Sequence, residues 1–83
     1  METNTADMTE MSTASTEKLL NAPAKALDSW LKTVRNCIKA ARRDGQTRYI
    51  GHTALGYFIE TDEKVAAMNS IRFVATADAV YSA

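Results

Sequence analysis

Between Leu27 and Ala41 the apolar residues fall at Leu27, Trp30, Leu31, Val34, Cys37, Ile38 and Ala41. Steps of three and four residues place them on one arc of about 120° at 100° per residue, the mark of an amphipathic helix with one face built for burial. Pro23 fits a first helical turn and Asp44-Gly45 a stop, so the pattern predicts one long helix from Pro23 through Arg43. Within it Asp28 stands four residues before Lys32, the favourable order for a helical ion pair. Upstream, Ser15 or Thr16 is the expected cap of a short turn, STEKLLN, anchored by Leu19 and Leu20. The opening METNTADMTEMSTAS has no apolar period and reads as a flexible acidic tail over residues 1–15.

After Gly45 the period changes to two. TRYIGHT (47–53) and GYFIETD (56–62) are rich in β-branched and aromatic residues and predict a hairpin about Ala54-Leu55-Gly56. That register sets Arg48 against Asp62, Tyr49 against Thr61 and Gly51 against Ile59. A turn at Gly51-His52 is the competing reading. Asp62 caps a short turn, EKVAAMNS, and alternation from Ile71 to Ser82 predicts a third strand, with a helix from Glu63 onward as the alternative. The expected fold is α+β, one long amphipathic N-terminal helix packed on a small three-stranded antiparallel sheet, in a single domain over 16–83. Trp30 is expected to be its largest core side chain.

Composition narrows the classes. At 83 residues and 46% hydrophobic, the chain suits one small folded domain. No apolar run approaches the roughly 18 residues that cross a bilayer, so no membrane partner is expected. A lone Cys37 excludes an internal disulfide, and residues 1–17 carry four acids and no base, unlike a secretory or mitochondrial leader. A cytoplasmic location is the expectation.

The formal net charge of zero conceals a segregation. Residues 1–17 sum to minus 4, residues 18–48 to plus 6 and residues 49–83 to minus 2. The positive block lies on the helix, where Lys25, Lys32, Arg35, Lys39, Arg42 and Arg43 project onto an arc of about 100° beside the apolar face, followed by Arg48 and Tyr49. Such a stripe is the solvated face of an ordinary helix, a contact for an acidic protein surface, or a track for phosphates with Tyr49 or Tyr57 stacking on a base. The acidic tail folding over it is a further way to neutralise it.

Chemistry is sparse elsewhere. Cys37 sits on the apolar face, where a buried thiol is inert. One histidine, His52, with no orienting partner in sequence is a poor general base, and one Cys with one His cannot make a zinc site. Gly45, Gly51 and Gly56 follow no phosphate-loop pattern. No enzyme activity, metal or cofactor is expected.

The order helix, strand, strand, strand resembles the opening of double-stranded-RNA-binding domains in topology alone. Their closing helix carries a lysine cluster, whereas no Lys follows Lys64 here, and the resemblance is not extended. In type, though by no motif, the chain is similar to phage-encoded accessory proteins such as anti-CRISPR inhibitors. The leading expectation is a non-catalytic module that binds a larger protein or nucleoprotein complex. Its expected contact residues are Lys32, Arg35, Lys39, Arg42, Arg43, Arg48, Tyr49 and Tyr57, with Phe58 beside them. Direct nucleic-acid binding through the same helix face is the alternative, and a homodimer through an open sheet edge or the Trp30 face a third reading.

Overall fold

Asp28 closes the helix register that its neighbours open. In a computed structural model, which describes residues 8–68 and 70–83, its Oδ1 accepts the Leu31 backbone N–H at 2.8 Å and caps a helix over Ser29–Asp44. Aspartate gains more at such a cap than inside a helix, so the chain breaks there and does not run on from Pro23. The segment expected as one helix is therefore three pieces: α1 (Thr13–Asn21), a single 3-10 turn (Ala24–Ala26) behind Pro23, and α2 (Ser29–Asp44). Because the Asp28 carboxylate serves the cap, its expected helical pairing with Lys32 is not formed. Ser12, not Ser15 or Thr16, caps α1 by accepting the Ser15 N–H at 3.0 Å. Gly45 ends α2 in the left-handed region at φ 74°, donating to the Ala41 carbonyl, as its place in the sequence predicts.

The strands are β1 (Thr9–Glu10), β2 (Arg48–Thr53), β3 (Gly56–Glu60), β4 (Ile71–Ala75) and β5 (Val80–Ser82), with α3 (Glu63–Ala67) between β3 and β4. They form one antiparallel sheet in the order β1-β5-β4-β2-β3. The expected three strands are thus five, for two reasons. The stretch expected as one strand from Ile71 folds back on itself, because the Thr76 Oγ1 accepts the N–H groups of Asp78 (3.2 Å) and Ala79 (2.9 Å) and the Thr76 N–H donates to the Ala79 carbonyl. And Thr9–Glu10, placed by the sequence in the tail, pair with Tyr81 and Ser82. The first seven residues of that tail lie outside the described residues.

The β2–β3 hairpin turns over two residues, Ala54 and Leu55, and pairs Tyr49 with Glu60, Ile50 with Ile59 and Gly51 with Phe58. This is one residue off the predicted register. Gly56 joins the strand, held opposite Thr53, whose Oγ1 donates to the Gly56 carbonyl and accepts the Leu55 N–H. A slip of one residue exchanges the faces of every opposed pair, so it decides which side chains share a surface.

The apolar face of α2 lies where its period places it. Val34, Cys37, Ile38 and Ala41 are buried against Ile50, Phe73, Ala75 and Val80, with Leu19 and Leu27 closing the ends. Phe73 is the largest side chain fully withdrawn from solvent. Trp30, expected in that role, is half-buried at the margin, its ring 4.7 Å from that of Tyr57 and edge-on to Phe73 at 6.4 Å. Among the described residues no helix is long and apolar enough to cross a membrane.

Candidate interaction surface

On a helix of 100° per residue, Lys32, Asn36, Lys39 and Arg43 fall within about 60° of one another, opposite the buried face, while Arg35 and Arg42 lie about 60–80° from Lys32 to the side. α1 packs along that side. The structure divides the predicted basic arc accordingly. Arg35 is half-buried and its Nη1 donates to the Ala22 carbonyl at 2.8 Å, at the C-terminal end of α1 where a cation complements the helix dipole. Its Nε is buried with no hydrogen-bond partner among the described residues. Arg42 donates from Nη1 to the Glu17 Oε2 at 3.1 Å.

Arg48 turns back to the end of α2 instead of facing Asp62. It holds Asp44 with two parallel bonds, Nη1 to Oδ1 at 2.9 Å and Nη2 to Oδ2 at 2.7 Å. Asp44 Oδ1 also accepts the Gln46 N–H at 3.0 Å. The Arg48 bonds, then that backbone bond, hold the Asp44 carboxyl well below the usual carboxylate range, and the same pairing raises Arg48. A carboxyl lowered in the folded state adds stability above its unfolded pKa and loses it as pH falls through the acid range. The melting temperature of the natural chain should therefore exceed that of Asp44→Asn most near neutrality, with the gap closing below about pH 4. An equal gap at pH 3 and pH 7 in a thermal melt would contradict this.

Lys25 falls in the 3-10 turn, off α2, and what remains of the arc on α2 is Lys32, Lys39 and Arg43, exposed and, among the described residues, outside any ion pair. Asn36 lies between them, also exposed. The stripe spans about 16 Å along α2 at 1.5 Å per residue.

The two tyrosines do not join it or each other. Tyr57 lies on the α2 side of the sheet beside Trp30, with the His52 ring 4.9 Å away, bordering a hollow of about 330 Å³ shared with Arg72 and Ser82. Tyr49 lies on the opposite face. The register builds a row there from edge to edge: Glu10, Tyr81, Val74, Tyr49, Glu60. Met8, Glu63 and Thr76 complete a groove of about 380 Å³ around its centre. Burial first, then the charges of Glu63 and Asp62, raise the Tyr49 hydroxyl above its ordinary pKa. This row escaped sequence reasoning because it needs the observed register and the β4–β5 turn. Phe58 does not present an open aromatic edge, since its ring lies over Gly51.

Cys37 is wholly buried, and burial pushes its thiol up to about 12, so its role in the fold is packing. Among the described residues no three His, Cys, Asp or Glu side chains gather as a group able to hold a metal ion.

Fold and surface together define a small α+β domain in which one helix crosses an antiparallel sheet and turns a short cationic stripe outward. Comparison with known proteins finds no matching family model, no similar curated protein and no similar solved structure.

Proposed function

We propose that the chain is a non-catalytic binding module that docks an acidic surface of a larger protein or nucleoprotein complex through Lys32, Lys39 and Arg43. One observation carries this reading. Three of the six predicted contact cations, Arg35, Arg42 and Arg48, serve the chain's own carbonyls and carboxylates, whereas Lys32, Lys39 and Arg43 form a straight outward row. Charges of that kind steer association and set specificity. An accessory or inhibitory role, in which the module covers a functional surface of its target, is the form this binding takes in the proposal.

Direct nucleic-acid binding is less well supported, because the three cations left on the outer face of α2 and a net charge of zero leave few phosphate contacts. Affinity capture from a lysate of the source organism separates the two. Reversing Lys32, Lys39 and Arg43 to Glu should cut recovery of one acidic partner by about tenfold or more. An equal reversal at Lys18, Lys64 and Arg72 should leave recovery unchanged, as should nuclease treatment. Undiminished capture by the first variant overturns the reading, and loss on nuclease treatment replaces it with the nucleic-acid one.

A further inference from the structure

β3 is the outer strand of the sheet on the side away from β1, and no described residue pairs with its free edge. The hairpin turn determines which of its backbone groups point outward. With only two residues in the turn, Thr53 and Gly56 are a hydrogen-bonded pair, and antiparallel alternation gives Phe58 and Glu60 the same inward role. The N–H and C=O groups of Tyr57 and Ile59 are left facing away from the sheet.

The side chains along this edge are unusual for an exposed strand. Tyr57 and Ile59, on one face, are 41% and 38% exposed, and Leu55 in the adjoining turn is 100% exposed. The strand GYFIE contains neither Pro nor Lys, the residues that commonly blunt an open edge, and its one charge is at the end, Glu60. The opposite edge, β1, is only two residues long and ends in Glu10.

We propose that this edge is a homodimer interface, with β3 pairing antiparallel to β3 of a second copy about a two-fold axis at Phe58, so that the two five-stranded sheets become one. The occupant is argued from self-complementarity. Two-fold pairing centred on Phe58 sets Tyr57 of each copy opposite Ile59 of the other, and these are the two residues whose backbone groups face outward. Registers centred on Tyr57 or Ile59 would pair only one of them within the strand. In the Phe58 register Glu60 faces Gly56 of the second copy, so no like charges are opposed. Tyr57 and Ile59 from both copies meet on one face, and the two Phe58 positions are opposed on the other with each ring turned inward over its own Gly51, the self-matching arrangement of an isologous interface. The proposal does not rest on the function proposed for α2, although an axis normal to the sheet leaves both cationic stripes on the same side.

Sedimentation equilibrium from about 1 to about 300 µM tests it, a range that resolves micromolar to near-millimolar association. The mass should rise from 9.1 kDa towards twice that value. Over the same range hydrogen exchange at the Tyr57 and Ile59 amides should slow, while exchange elsewhere on the strand changes little. Ile59→Lys places a charge on the seam at a side chain already partly exposed, and should remain monomeric with an unchanged circular dichroism spectrum. A monomer at every concentration overturns the proposal and leaves the edge to a strand from another protein. A dimer whose Tyr57 and Ile59 amides gain no protection, or one that folded Ile59→Lys still forms, overturns it as well.

Discussion

Phe73→Ala should unfold the domain or bring it close to unfolding at room temperature. The ring is fully buried on β4, which pairs with β5 on one side and β2 on the other, and it lies in the cluster that joins the sheet to α2. Removing a buried phenylalanine costs about 3–5 kcal/mol, since the lost transfer free energy adds to the cavity left behind. A domain of 83 residues has a total stability of about 5–15 kcal/mol, towards the low end for a small core whose single Cys allows no internal disulfide. The melting temperature should fall by about 15–30 °C. A thermal melt within a few degrees of the natural chain would show that the centre of the core lies elsewhere.

Gly51→Val should be the most damaging change on the other face. A Cβ at Gly51 would stand 2.6 Å from the Phe58 Cζ and 2.7 Å from its Cε1, closer than side-chain atoms approach. The two residues are opposed partners in β2 and β3, so the ring must leave its place over Gly51 to admit a side chain there. The glycine is there for close approach and not for an unusual backbone angle. Displacing the ring should cost about 1–3 kcal/mol. The double variant Gly51→Val with Phe58→Ala should recover part of the loss, and its melting point beside those of the single variants gives the coupling. Additive losses would mean that the two positions do not share the space.

The helical half of the fold was legible because its period is unambiguous. Leu27, Val34, Cys37, Ile38 and Ala41 are buried as their spacing predicts, Gly45 ends α2, and Asp62 caps α3 by accepting the Lys64 N–H. Asp28 shows where period alone misleads. Nothing in the apolar spacing marks a break, and only the competition between a cap and a helical interior places one there. The sheet was less legible for a related reason. Alternation continues through Thr76–Ala79, where alanines fit either face, so the side-chain bonds of Thr76 that turn the chain leave no trace in the pattern. A strand of two residues such as Thr9–Glu10 is too short to have a period at all.

The cationic arc was legible as composition on a helix face, but its division was not. That Arg35 and Arg42 turn towards α1 depends on where α1 packs, and that Arg48 returns to Asp44 depends on a hairpin register one residue from the predicted one. Tyr49 and Tyr57, expected together among the contact residues, lie on opposite faces of the sheet. The surface left for a partner is narrower than the sequence implied, and more sharply directed.

Zero-length carbodiimide cross-linking of the captured complex, read by mass spectrometry, tests that surface most directly, because it joins lysine amines only to carboxylates in contact with them. The proposed docking predicts links from Lys32 and Lys39 to Asp or Glu side chains of the partner, and none from Lys18 or Lys64. Partner links concentrated at Lys18 or Lys64, with Lys32 and Lys39 unmodified, would contradict it.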